Sequence, residues 1–279
     1  MKTINPKELP PFEVQMLLQH AIAPRPIALA STIDQEGNIN LSPFSFFNLF
    51  SCNPPIVIFS PSRRMRDNST KDTLENVLQV PEVNIGIVNY PIVQQMSLSS
   101  TEYDKSINEF VKAGFTMKDA DLIAPKLIEE CPVNLECKVL EVKPLGTEGG
   151  AGNLVISEVV KIHIREEYLN ENGTLDQAKL DLVARLGGNW YSRNNADNLF
   201  EVPKPLVTKG IGIDQLPCEI KNSKVFTGND LGMLANVERL PKGSYTDDEA
   251  THLKAQCLLT EAKIEEAWQC LVSIKVKKL

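Results

Sequence analysis

Pro26-Ile-Ala-Leu-Ala-Ser-Thr-Ile-Asp-Gln-Glu-Gly-Asn-Ile-Asn-Leu-Ser-Pro-Phe-Ser-Phe-Phe-Asn-Leu-Phe50 decides the fold of this chain. Its apolar run 27–33 is bounded by Pro26 and by Asp34-Gln-Glu-Gly37, so it reads as a buried strand entering a hairpin. Residues 38–50 continue the hairpin. Pro54-Pro55 then punctuates, and Ile56-Val-Ile-Phe-Ser60 is the next strand.

Working outward, Val83-Asn-Ile-Gly-Ile-Val88 alternates as a strand, and residues 91–121 read as helix and loop. Val133 to Val142 alternates as a half-buried strand. Gly146 to Gly152 supplies a glycine-rich turn, and Asn153 to Ile164 is the partner strand. Leu180 to Leu186 suits a helical turn or a short strand, and residues 12–20 a short helix. Many strands at close spacing with few helices between them favour a mainly antiparallel barrel over a parallel βαβ sheet. The fold class is mainly β with helices (α+β). Residues 206–245 are irregular. Thr246-Asp-Asp-Glu249 resembles a capping box that opens one amphipathic helix over 247–272, packed on the same domain or on a partner. The expected organisation is a domain over 1–205 and an extension over 206–279.

Composition narrows the function. The chain has 279 residues, 42% of them apolar, and carries 29 basic and 36 acidic side chains, a formal charge of −7. That excludes a disordered chain and argues against a nucleic-acid binder. No stretch has the roughly 20 apolar residues of a membrane span. The start lacks a secretory h-region, and the six cysteines form no CxxC pair, so reduced thiols and a cytoplasmic location are expected. The three histidines are too scattered to suggest a metal site.

Two stretches carry candidate chemistry. Arg63, Arg64 and Arg66 precede Ser69-Thr-Lys-Asp72, which resembles a helix start. Hydroxyls, a lysine and the positive end of a helix together suit a phosphate. A capped surface helix beside solvated arginines suits the same residues. In Ser42–Ser51, aromatic rings alternate with small polar side chains, a pattern that lines a cleft for a planar heterocycle or simply packs a strand. The cluster Gly149-Gly-Ala-Gly152 is explained by a hairpin turn. A planar ring at one end and a phosphate at the other describe a mononucleotide.

The chain resembles the flavin reductase-like family, the FMN-binding split barrels. The resemblance rests on Arg25-Pro-Ile-Ala-Leu-Ala-Ser-Thr32, Asn40-Leu-Ser-Pro-Phe-Ser-Phe-Phe-Asn48, Asn53-Pro-Pro-Ile-Val-Ile-Phe-Ser60 and Ser69-Thr-Lys-Asp-Thr73. Cys137–Val142, Gly150–His163 and Leu186-Gly-Gly-Asn-Trp-Tyr-Ser-Arg193 extend it over about residues 20–205. It implies a six-stranded Greek-key split β-barrel, a homodimer and FMN near the dimer interface. It also implies that Ala30, Ser31 and Thr32 lie along the flavin edge. Ser45, Phe46, Phe47 and Asn48 would contact the ring and ribityl chain. Ser60 and Ser62 would sit near the phosphate end, and Ser69, Thr70, Lys71 and Thr73 would hold the phosphate. Arg63 and Arg64 would be further phosphate or nicotinamide-nucleotide contacts, and His163, Tyr191 and Arg193 are candidates for the far wall.

The implied activity is hydride transfer from NADH or NADPH, a transient co-substrate, to flavin, with no catalytic side chain and no metal. An FMN electron-transfer protein served by a protein partner, as in flavoredoxin, is the alternative. A cofactor-free interaction protein on the same barrel is the third reading.

Overall fold

Strand β1 (Ala28–Ile33) explains the unbroken apolar run of its sequence, because both of its faces are buried. Leu29 joins one core cluster with Leu41, Val88, Met96 and Phe110. Ala28 and Ala30 join a second with Phe44, Val57, Phe59, Leu74 and Ile85. Successive side chains of a strand point to opposite faces, so one strand serves two cores.

The computed structural model describes residues 1–105, 107–205 and 209–273. After α1 (Pro11–Ala21) and β1 come β2 (Ile39–Phe44), β3 (Phe47–Cys52), β4 (Pro55–Phe59), α2 (Asp72–Gln79) and β5 (Glu82–Ile87). Then follow α3 (Val93–Leu98), α4 (Glu109–Ala113), β6 (Met117–Lys118) and β7 (Leu127–Ile128). The long hairpin β8 (Val133–Pro144) and β9 (Asn153–Ile164) precedes α5 (Gln177–Leu180), β10 (Leu182–Arg185) and β11 (Tyr191–Asn194). The main sheet has seven strands in the order β2-β1-β5-β8-β9-β4-β3, and its neighbouring strands pair antiparallel.

Two local expectations change. The segment 38–50 is not one strand. It breaks at Ser45-Phe46, so that β2 pairs with β1 and β3 pairs with β4. Six implied strands thereby become seven. Ser69 does not cap α2. Its hydroxyl donates to Asp67 at 2.6 Å, and the helix starts after Lys71 with no side-chain cap. A near neighbour in its own loop wins the hydroxyl.

The chain divides into two compact units, Met1–Leu199 and Phe200–Leu279. Residues 206–208, where the sequence reading places its boundary, lie outside the described residues. The second unit is more regular than the sequence suggests. It holds α6 (Cys218–Lys221), α7 (Gly228–Ala235), β12 (Ser244–Tyr245), α8 (Glu249–Thr260), α9 (Ile264–Leu271) and β13 (Val272–Ser273). Its core unites Ile220, Leu234, Leu259, Trp268 and Leu271.

The single helix expected over 247–272 is two. Lys263 N–H donates to Leu258 C=O, Ala262 N–H donates to Leu259 C=O, and Ala262 takes φ 57°. This left-handed closure satisfies the last carbonyls of α8 and stops it. Nor does Thr246 open α8. Asp248 is the N-cap, accepting from Thr251 N–H at 2.8 Å. The capping box of this unit lies instead at Thr227 and Asp230, ahead of α7. No helix of the described residues is long and apolar enough to cross a membrane.

Candidate functional site

The start of α2 and the loop before it form the charged end of the site. Arg64 donates from Nη1 to Ser69 Oγ at 3.1 Å and to the Thr70 carbonyl. Its Nε pairs with Glu102 at 3.0 Å, and the other Glu102 oxygen pairs with Arg66 at 2.7 Å. Lys71 is half-buried. Burial, and then the Arg64 guanidinium, push its ammonium below the ordinary lysine range. Arg64, Lys71, Thr73 and Glu102 line a small cavity of about 20 Å³ together with Asn40 and Ser100.

Ser100 also lines a larger cavity of about 530 Å³. Ile27, Phe44 and Met96 form its apolar wall, and Ser45, Gln94, Ser97, Arg185, Asn189 and Tyr191 supply polar groups. Lys71 Nζ stands 5.9 Å from the centroid of the Phe44 ring. The two cavities therefore share a wall at Ser100 and meet again at the Lys71–Phe44 contact. A roomy, mostly neutral cavity thus adjoins a tight polar seat, where Lys71 and Arg64 stand among the carboxylates of Asp72, Glu102 and Glu109.

Glycines let the loop 60–66 approach the β8–β9 turn. A Cβ on Gly152 would come within 2.6 Å of Ser60 Oγ, and one on Gly149 within 3.1 Å of the Arg64 carbonyl oxygen. The glycine cluster is thus a hairpin turn and also a close-packing surface.

A model of the flavin reductase like domain matches residues 20–180. The chain belongs to the flavin reductase like family. An uncharacterized protein of Halalkalibacterium halodurans is 31% identical over 208 residues, 74% of this chain and 98% of that protein. Among solved structures, nitrilotriacetate monooxygenase component B from Bacillus cereus superimposes with a TM-score of 0.67. It shares 27% identity, over 72% of this chain and 98% of that one. A protein described as a flavin reductase with split barrel domain, from Shewanella frigidimarina, gives 0.61 at 24% identity, over 73% and 100%. The fold is the split barrel of these flavin reductase like proteins.

Within this flavin reductase like domain the residues singled out by sequence separate into groups. Lys71, Thr73 and Arg64 share the small cavity, and Ser45 lines the large one. Ser69 and Thr70 stand beside the seat with their hydroxyls engaged, Ser69 by Asp67 and Thr70 by Glu75 at 2.7 Å. Arg63 is turned into its own loop, donating to the Asn68 side chain at 2.7 Å and to its carbonyl at 2.8 Å. Ser62 bridges Gly152, and Ser60 is buried against it.

Ala30, Ser31 and Thr32 are fully buried in β1 and line neither cavity. Phe47 packs on the second core cluster. Phe46 lines a separate apolar recess with Val14, Leu18 and Ile22, and Asn48 is exposed.

Of the far-wall candidates, Tyr191 lines the large cavity. Arg193 instead forms a two-pronged pair with Asp181, both contacts 2.7 Å, beneath Tyr90. His163 donates from Nε2 to the fully buried Glu136 at 2.6 Å. Burial would raise the Glu136 carboxyl. The bonds from Asp121 N–H, His163 and Leu122 N–H outweigh it and hold the group below its ordinary range. Asp121, Glu136 and His163 lie close together. Lys161 pairs with Asp121, and the Glu136 oxygens are filled, so this cluster is a structural network.

Met96, Gln94, Ser97 and Ser100 carry no sequence motif, and Arg185 stands one residue before the Leu186–Arg193 stretch.

Proposed function

We propose that this chain binds FMN in its first unit and acts as a flavin reductase-type oxidoreductase with NADH or NADPH as donor. The observation that carries the reading is the pair of adjoining cavities that share Ser100, one holding Lys71 and Arg64 and the other partly apolar. The donor set fits a phosphate. Lys71 and Arg64 supply charge, the uncapped start of α2 supplies N–H groups, and Arg64 already holds an oxyanion, the Glu102 carboxylate. Bound there, FMN would supply two-electron chemistry at its ring.

The chain's own residues position and enclose. Lys71 and Arg64 neutralise the phosphate, Phe44 and Met96 exclude water from the ring face, and Ser45 offers a hydrogen-bonding group at its edge. No side chain is asked to act as acid or base.

A homodimer belongs to this proposal. Helix α1 has no buried residue, yet it carries Phe12, Met16, Leu17 and Leu18. The edge strand β3 exposes Leu49 and Phe50. Exposed apolar groups so clustered mark an interaction surface, and size-exclusion chromatography with light scattering reads the mass directly.

The deciding experiment is a fluorescence titration of FMN beside riboflavin, in wild type and Lys71→Ala, followed by NADH and NADPH oxidation assays. Saturation near one FMN per chain, weaker riboflavin binding and a loss of about tenfold or more in the variant are expected. Equal binding of FMN and riboflavin would overturn the phosphate seat. Tight FMN with no oxidation of either nucleotide would replace the reductase with an electron-transfer protein.

A further inference from the structure

Arg25 and Arg185 are backbone partners. Arg25 N–H donates to the Arg185 carbonyl at 3.0 Å and Arg185 N–H to the Arg25 carbonyl at 2.8 Å. Two guanidinium side chains thus leave the main chain at one point. Arg25 is only 7% exposed. It donates to the carbonyls of Gln19, Ile22 and Leu186, at 2.5, 2.6 and 2.9 Å. Burial, and then the neighbouring Arg185, lower its pKa. Its role is to close the end of α1, whose last carbonyls lack partners within the helix.

Arg185 has no such task. Its guanidinium stacks on the Tyr191 ring, 4.6 Å from the centroid, and it lines the large cavity. Among the described residues its side chain makes no hydrogen bond, and neither arginine pairs with a carboxylate.

Arginine does not escape such a position by losing its proton. Two like charges side by side cost free energy, and the chain has 36 acidic residues from which a partner could have come. None lines the large cavity. The Arg185 guanidinium lies over the Tyr191 ring with its N–H groups free of partners among the described residues, and such a group can grip a carboxylate or phosphate with two parallel bonds. Apolar Ile27, Phe44 and Met96 stand with neutral Gln94 and Asn189 around the rest of the wall.

We infer that the large cavity receives, beside the flavin ring, a co-substrate carrying an oxyanion, and that Arg185 is the residue that recognises that oxyanion. The inference rests on the flavin reading above. A nicotinamide nucleotide brings phosphates and a small aromatic acid brings a carboxylate, and both present the same chemistry to Arg185. A cation meets only repulsion there.

The test compares wild type, Arg185→Gln and Arg185→Lys. Calorimetry, and the flavin absorbance of FMN-loaded protein, follow titrations with benzoate, its neutral twin benzamide, and the redox-inert ADP-ribose. The wild type should bind benzoate or ADP-ribose at least tenfold more tightly than benzamide. Arg185→Gln should lose that preference, and Arg185→Lys should keep part of it and report the site should Arg185→Gln fail to fold. FMN affinity is read in both variants, and an anion loss no larger than the loss of FMN affinity would overturn the inference. A loss confined to ADP-ribose assigns a nucleotide, and one confined to benzoate assigns a small acid. Unchanged anion affinity in Arg185→Gln, or wild type blind to charge, overturns the inference. Failure of wild type to bind FMN overturns the flavin reading alone, because calorimetry on the flavin-free protein still compares wild type with Arg185→Gln.

Discussion

The Thr73 hydroxyl donates to the side-chain carbonyl of Asn40 at 2.7 Å. The direction of this bond is set one step further on. Asn40 Nδ2 donates to the buried Glu109 carboxylate at 3.0 Å, and Leu41 N–H donates to its other oxygen at 2.9 Å. An ionised carboxylate only accepts, so Asn40 must turn its amide N–H toward Glu109 and its oxygen toward Thr73. The Thr73 proton is therefore committed before any ligand arrives.

Thr73→Val should then act on stability more than on binding. It leaves the Asn40 oxygen without its donor, at a cost of about 1–3 kcal/mol. FMN affinity should fall by less than about threefold, far less than in Lys71→Ala, because the hydroxyl had no free proton to offer. Urea denaturation and an FMN titration on the same preparation measure both. A Thr73→Val variant of wild-type stability that binds FMN as poorly as Lys71→Ala would refute this ordering.

Glu109 gives that network a pH dependence. Burial pushes its carboxyl above the ordinary range, more than the donors around it pull it down. A carboxyl raised in the folded state holds its proton more tightly when folded than when unfolded. Its contribution to stability is complete below the unfolded pKa and is lost as pH rises through the folded one. Glu109→Gln, which cannot ionise, should flatten this part of the stability profile from the ordinary carboxylate range upward. Denaturation midpoints of wild type and variant across that range read the difference, and parallel profiles would count against it.

Glu102 occupies the mouth of the small cavity with its carboxylate on Arg64 and Arg66. An incoming phosphate must compete with it for Arg64. Glu102→Gln removes the competing charge and should tighten FMN binding by about three- to tenfold while riboflavin binding stays unchanged. The gain should shrink as salt is raised. Weaker FMN binding in this variant would mean that Glu102 orders Arg64 for the ligand instead of screening it.

Much of the barrel was legible because it is written in alternation. Val133–Val142 and Asn153–Ile164 alternate, and they pair as β8 and β9. The break at Ser45-Phe46 was hidden because the aromatic pattern runs through it unchanged, and only pairing with two different partners reveals it. The missed start of α2 has a local cause, since Asp67 takes the hydroxyl that Ser69 would need for capping. The large cavity was hard to read because its walls come from distant pieces. Ile27 and Phe44 belong to the first hairpin, Met96 to α3, and Arg185 to β10. Arg185 in particular gains meaning only from the backbone pairing that sets it beside Arg25.

The second unit is open to an equally direct test. Leu271 is fully buried in the core that Trp268 shares with Leu234 and Leu259. Leu271→Ala removes three carbons from a packed interior and should cost about 2–5 kcal/mol, the transfer term plus the cavity left behind. The chain has two tryptophans, and they differ usefully. Trp190 is 74% exposed, whereas Trp268 is 4% exposed. A change of emission on unfolding therefore reports chiefly on Trp268. The variant should shift the emission midpoint to lower urea, and a Trp190→Phe background should leave that shift intact. An unchanged midpoint would show that Leu271 and Trp268 do not share a packed core in solution.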